Sequence, residues 1–400
     1  MFAHSIFNSF LLLTLTNVAM AAYSASGHNV AMYWGQGAGQ KRLSYYCDSS
    51  NADAYADIIM VSFLDNFSGS TASFNFGNAC ASDSSCTEIA EDIKTCQSKG
   101  VKVLLSMGGA DGSYGISGSS DASELVETLY KMFGPSGTVF PGAEVDGFDL
   151  DIEQGTHTGY SEFISAVKTK FGSDFLISAA PQCVFPDASI GEALDKAQID
   201  IAFIQFYNNY CSLDKTFNWD TWTKAVTSTF ANKNMKLYIG LPGSSSSAGS
   251  GYVSLSTVKS KAAKALTNSN FGGFMFWEAS TVSENTGFVS GIRSFMGSSS
   301  SNSASTTTTG TSSSTQSSSA AHKKDSQHHI IVTTTAKAVT SKVTTTISPS
   351  QATSDDSAAA ASSYTSESLA TNVLWAVTTT YATPTLQTNV LWAVTSSASA

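Results

Sequence analysis

The chain has 400 residues, enough for one large domain with an extension, and hydrophobic residues make up 42% of it. Charged residues are only 13% and the formal net charge is −10; residues 298–400 balance four acids (Asp325, Asp355, Asp356, Glu367) against four lysines (Lys323, Lys324, Lys337, Lys342), so the acidity belongs to residues 1–297. An acidic body argues against nucleic acid and anionic membrane as partners and leaves a neutral polymer open.

In chain order, residues 10–16 form a short apolar run, and Ala19-Met20-Ala21 follows with the small-x-small spacing of a cleaved leader. Residues 1–21 therefore read as a secretory signal peptide cut before Ala22, although His4 stands where a positive flank is usual. The run falls well short of the ~20 residues that a membrane span needs, and no later segment is long enough. His28 to Tyr33 reads as a first strand ending at Trp34-Gly35-Gln36-Gly37. Asp57 to Phe63, nearly all apolar, reads as a second strand buried on both faces. Asn66-Phe67-Ser68 is an acceptor sequence for N-glycosylation, placed near the mouth where that strand ends. Glu88 to Lys99 reads as a helix capped by Gly100. Val101 to Gly109 is a third strand, ending in Ser106-Met107-Gly108-Gly109.

Residues 122–133 read as a helix. The stretch Asp146-Gly147-Phe148-Asp149-Leu150-Asp151-Ile152-Glu153 then alternates acidic and apolar residues. In a strand, successive side chains point to opposite faces, so Asp149, Asp151 and Glu153 share one face and Phe148, Leu150 and Ile152 the other. Three crowded carboxylates cannot all ionise cheaply, so the acidic face is expected in a polar cavity with at least one raised pKa. A raised carboxyl pKa is what a general acid needs near neutral pH. Calcium sites draw on loop ligands and carbonyls, which this alternating strand does not offer.

Tyr160 to Phe171 reads as an amphipathic helix with Phe163, Ile164, Val167 and Phe171 on one face. Phe175 to Ala180 is a fifth strand, Ala193 to Gln198 a helix, and Ile199 to Phe206 a sixth strand closing on Gln205-Phe206-Tyr207-Asn208-Asn209. Trp219 to Phe230 (helix), Met235 to Leu241 (strand), Ser254 to Leu266 (helix), Gly272 to Trp277 (strand) and Phe288 to Met296 (helix) complete the body. Eight strands alternating with helices over roughly 270 residues point to an α/β fold of the (β/α)8 TIM-barrel type, residues 22–297. An open doubly wound sheet is the competing arrangement, and no Gly-rich phosphate fingerprint supports it. Residues 298–400 are rich in Ser and Thr with no cysteine and read as a disordered, O-glycosylated tail. Thr371–Thr378 recurs there as Thr388–Thr395, too few copies for a solenoid.

All six cysteines lie between residues 47 and 211. In a secreted chain they suggest disulfides, with 15 possible pairings, while a zinc site lacks its CxxC pair.

The acidic strand resembles the DGxDxDxE signature of family 18 glycoside hydrolases, the chitinases. Tyr33-Trp34-Gly35-Gln36, Ser106 to Gly109 and Gln205 to Asn209 are similar to the corresponding segments of the plant hevamine-type and yeast enzymes. The resemblance implies a secreted endochitinase that hydrolyses β-1,4-linked N-acetylglucosamine polymers with retention, using the substrate's own acetamide as nucleophile. It implies Glu153 as the acid, Asp151 as the residue orienting the acetamide, Asp149 as its proton-sharing neighbour and Tyr207 as a hydrogen-bond donor. It implies a reacting-sugar subsite shaped by Tyr33, Gln205, Asn208 and Trp277, and the disulfides Cys47–Cys96, Cys80–Cys86 and Cys183–Cys211. No cofactor or metal is expected, chitin or cell-wall polysaccharide is the expected partner, and the expected state is a monomer, secreted or held in a cell wall. An inactive chitin-binding protein on the same scaffold, or a wall protein acting through its tail, are the competing expectations.

Overall fold

The computed structural model describes residues 23–80, 85–155 and 157–300, the last three without their side chains. The expected leader lies outside these residues, as does the expected tail with its repeat, except for the final turn of the last helix. Eight parallel strands close into a barrel: β1 (Asn29–Trp34), β2 (Ile58–Leu64), β3 (Lys102–Gly109), β4 (Gly147–Ile152), β5 (Leu176–Ala179), β6 (Ile201–Gln205), β7 (Lys236–Pro242) and β8 (Phe271–Trp277). Each strand pairs with its sequence neighbours and β8 closes on β1, through Asn29↔Gly273 to Met32↔Phe276. The fold is the (β/α)8 TIM barrel, and the open sheet is excluded by that closure.

Helices α1 (Thr87–Ser98), α2 (Ser119–Phe133), α3 (Tyr160–Phe171), α4 (Gly191–Lys196), α5 (Trp219–Ser228) and α6 (Leu255–Lys261) fill successive crossovers, and α7 (Ala279–Glu284) and α8 (Phe288–Ser300) follow β8. The alternation breaks between β1 and β2, where a short 3-10 turn, Leu43–Cys47, replaces a helix. The helix expected from Ser254 to Leu266 is divided into α6 and a 3-10 turn at Ala265–Thr267. A three-stranded sheet of very short strands, Asn66–Ser68, Thr71–Ser73 and Ser113–Tyr114, sits after β2 and β3.

Period-two alternation sorts the core into two layers. Val30, Met32 and Trp34 of β1 join Phe148, Leu150 and Ile152 of β4 in the layer between strands and helices. Ala31 and Tyr33 face the barrel interior with Met60, Leu104, Phe203 and Met275. Tyr160, Phe163, Ile164 and Val167 of α3 are buried, and Phe163 stacks on Phe148 at 6.2 Å between ring centres. Burying such a side chain contributes ~1.5–3 kcal/mol, so this shell holds β4 in place by ordinary hydrophobic packing.

The cysteines close as Cys47–Cys96, Cys80–Cys86 and Cys183–Cys211. The third joins the segments that leave β5 and β6, at the carboxyl end of the barrel.

Candidate active site

The carboxyl ends of β1, β3, β4, β5, β6 and β8 assemble the site. Asp149 is fully buried and takes hydrogen bonds from three hydroxyls: Tyr33 Oη at 2.9 Å, Ser106 Oγ at 2.7 Å and Ser178 Oγ at 2.6 Å. These donors arrive from β1, β3 and β5, because Ser106 and Ser178 are the register partners of Asp149 on its two neighbouring strands. The acidic face therefore does not open as a whole into a cavity: Asp149 lies in the barrel interior, satisfied by hydroxyls. Burial still raises its carboxyl pKa, against the pull of the three bonds.

One step up the strand, Asp151 is 4% exposed. Gln205 Nε2 donates to Asp151 Oδ1 at 3.0 Å, to Glu153 Oε1 at 3.2 Å and to Ala180 O at 3.0 Å. Burial raises the Asp151 pKa well above the carboxylate range, and the charges of Glu153 and Asp149 add to that, with a hydrogen bond to Glu153 acting the same way. Asp151 thus holds its proton to higher pH than a free aspartic acid does. Glu153 follows the last residue of β4 and is half-buried, so the ladder runs from a closed floor to an open top.

The expected neighbours gather around it. The Tyr207 phenol is nearly buried, and burial followed by the negative charges of Asp151 and Glu153 raises its pKa, so it stays a donor beside both. Tyr33 meets the Trp277 ring edge-on at 5.5 Å. Trp277 also stacks on Phe63 at 5.9 Å and 22° and stays partly exposed, a flat apolar surface at the end of β8. Asn208 stands apart: its backbone is left-handed, with φ at 58°, and its Oδ1 accepts from Ser250 N at 2.9 Å, holding a neighbouring loop.

Ser106 and Gly108 lie in the family-like segment that ends β3, but what they do at the site shows only in the structure, as it does for Ser178 and Tyr114. Ser106 and Ser178 become visible as partners of Asp149 once the register is known. Gly108 has φ at 107°, and a Cβ there would come within 2.2 Å of Asp151 O, so only glycine lets β3 lie this close to β4. Tyr114 Oη accepts from Glu153 N at 3.0 Å and Gln154 N at 3.1 Å and donates to Gly109 O at 2.5 Å. A groove leads outward from Trp277 and Phe63 past Asp65 and Asn75. No three His, Cys, Asp or Glu side chains among the described residues are arranged to hold a metal ion, and none of the described helices is long and apolar enough to cross a membrane.

A closed (β/α)8 barrel with a buried acidic ladder rising to one half-open glutamate defines a class: barrel proteins whose site is built for carboxyl acid chemistry at the strand ends. Residues 29–253 match the family described as Glycosyl hydrolases family 18, and the chain belongs to that family. The chain is 47% identical to the protein named Endochitinase from Saccharomyces cerevisiae, over 70% of this chain and 51% of that one. It therefore spans about half the length of that curated relative. Among solved structures, a xylanase and alpha-amylase inhibitor protein from Scadoxus multiflorus is similar at 32% identity and a TM-score of 0.57, covering 67% of this chain and 98% of its own. A chitinase from Ipomoea carnea is similar at 28% identity and a TM-score of 0.58, covering 67% and 99%.

Proposed function

We propose that the chain is a secreted endochitinase that hydrolyses β-1,4-linked N-acetylglucosamine polymers with retention. The observation that carries this reading is the ladder itself: Asp149 closed off by three hydroxyls, Asp151 sharing Gln205 with Glu153, and Glu153 alone half-open to the cleft. Glu153 protonates the leaving glycosidic oxygen. The substrate's own acetamide oxygen attacks the anomeric carbon, as in substrate-assisted glycosidases. Asp151 orients the acetamide N–H and balances the positive charge of the cyclic intermediate, with Asp149 beneath it setting how much negative charge the pair carries. Tyr207 donates to the acetamide oxygen, and Trp277 gives the sugar ring an apolar floor. Glu153 then takes a proton from water in the second step, and two inversions return the original configuration.

The composition supports the setting. A neutral polysaccharide suits an acidic body, residues 1–21 act as a leader, and residues 298–400 form an O-glycosylated stalk that holds the enzyme near a cell wall for remodelling or cell separation. A carbohydrate-binding protein without turnover is the second reading, since the same scaffold carries an inhibitor protein at 32% identity. Incubating chitin oligosaccharides with the full chain and with Glu153→Gln separates the two. The wild type is expected to cleave with β-anomer product seen by NMR, and the variant to bind with a kcat lower by about 10²–10⁴-fold. Wild-type binding without any cleavage favours the second reading.

A further inference from the structure

The groove that starts at Trp277 does not stop beside the ladder. Asp65 and Asn75 line its first part, of about 160 Å³, and also line a larger basin of about 680 Å³ farther out. Asn66, Ser73 and Gly112 bound that basin. Gln36 Nε2 donates to Ser62 O and to Asn75 O, both at 2.8 Å, which holds the junction between the two parts.

Asn66 is also the first residue of the acceptor sequence Asn66-Phe67-Ser68. These three residues form one strand of the small sheet, so Asn66 and Ser68 share a face. Both are exposed, while Phe67 is fully buried and stacks on Tyr114 at 5.2 Å and 15°. The acceptor strand is thus anchored through Phe67, with Asn66 exposed at the rim of a basin that shares Asp65 and Asn75 with the groove.

The chemistry of the modification matters here. An N-linked glycan begins with two β-1,4-linked N-acetylglucosamine units, the same repeating linkage as in the polymer assigned to the groove. We propose that Asn66 carries an N-linked glycan whose first two sugars occupy the outer basin and limit the length of polymer that the groove holds. In the transfer, the Asn66 side-chain nitrogen displaces a lipid diphosphate from C1 of the reducing-end sugar of a lipid-linked oligosaccharide. The N–C1 bond forms, the C1–O bond to the diphosphate breaks, and the amide proton leaves with the lipid diphosphate. This inference rests on the reading of the groove as a chitin site.

The test uses the full chain secreted from a eukaryotic host, as wild type and as Ser68→Ala, which removes the acceptor sequence without altering a residue that bounds the basin. Peptide mass with and without glycan release reports on Asn66 directly. A short chitin oligosaccharide confined to the reacting end and a long one that reaches the basin are then compared. Ser68→Ala is expected to match wild type on the short substrate and to exceed it about tenfold in kcat/KM on the long one, equivalent to ~1.4 kcal/mol. Enzymatic glycan removal from folded wild type should reproduce the gain without any substitution. An unmodified Asn66, or a modified one with an unchanged long-to-short ratio, overturns the proposal. If neither protein cleaves either substrate, the hydrolase reading fails, and the ratio of Kd values for the long oligosaccharide, from calorimetry, decides the glycan's effect by itself.

Discussion

Tyr114 gathers three hydrogen bonds on one oxygen, and two of them end on the backbone that carries Glu153. Burial pushes its phenol up to about 12, so it keeps the proton it donates to Gly109 O across the working range. The hydroxyl therefore pins the end of β4 to the end of β3 at the point where the acid emerges. Tyr114→Phe removes the oxygen and leaves two N–H groups to find other partners, at ~1–3 kcal/mol for each that stays buried and unpaired. A displacement of Glu153 near 1 Å is enough to lower kcat by about 10²-fold. Steady-state kinetics on a chitin oligosaccharide should show kcat falling by about 10–10²-fold with KM nearly unchanged; equal losses in both would mean that Tyr114 serves substrate binding instead. The acidic residues of β4 were readable from sequence because a period of two assigns their face without any tertiary knowledge. Tyr114 was not, because its role exists only where two strand ends meet, and neither spacing nor composition encodes that meeting.

At the scale of elements, the long apolar strands and the amphipathic helices were readable because each buries one continuous stripe or run. The small sheet and α7 escaped for the opposite reason. Strands of two or three residues have no period to detect, and α7 opens on Glu278, whose carboxylate accepts from Ser280 N at 2.9 Å and Thr281 N at 3.1 Å, a cap outside the usual Ser, Thr, Asp and Asn set. Helix α8 is legible in the sequence as Phe288 to Met296, but its anchor is not. Arg293 Nη1 meets Asp57 Oδ2 at 2.9 Å and Nη2 donates to Tyr55 O at 2.8 Å, tying α8 to the amino end of β2. The Asp57 side chain is 2% exposed. Burial raises its pKa above the ordinary value and Arg293 pulls it down, with burial ahead. Arg293→Met leaves that carboxylate without its counter-charge, a loss of ~3–5 kcal/mol near neutral pH. The pKa in the folded variant then lies still higher above that of the unfolded chain. Its neutral form is favoured by folding below the unfolded pKa of about 3.9, and stability is lost as pH rises through the folded value. Urea unfolding of both proteins should therefore show a deficit that is smaller at low pH and grows toward neutrality. A deficit of constant size would mean that Arg293 acts through packing on Tyr55, whose ring centre lies 4.5 Å from its guanidinium carbon.

For the whole molecule, the decisive boundary is the carboxyl end of α8. Strand β8 closes the barrel on β1, and Phe288, Val289, Ile292 and Met296 of α8 are buried in the shell around it. Met296 is the last buried side chain among the described residues, just before the Ser/Thr-rich sequence begins. The charge follows the same boundary, with the acidity on the side of the barrel and a neutral composition beyond. If residues 298–400 serve as a stalk, a chain ended after Ser300 should cleave soluble oligosaccharides with the same kcat/KM as the full chain, because every residue placed at the site lies in the barrel. It should differ in retention on cell-wall material, which the shortened chain loses. A chain ended after Gly287 removes all four buried α8 side chains, each contributing ~1.5–3 kcal/mol on burial. That total is comparable to the ~5–15 kcal/mol net stability of a typical folded protein, so the second truncation should yield no soluble active enzyme. Activity surviving the cut at Gly287 would show that β8 closes the barrel without α8, and a large loss from the cut at Ser300 would place part of the catalytic unit in the tail.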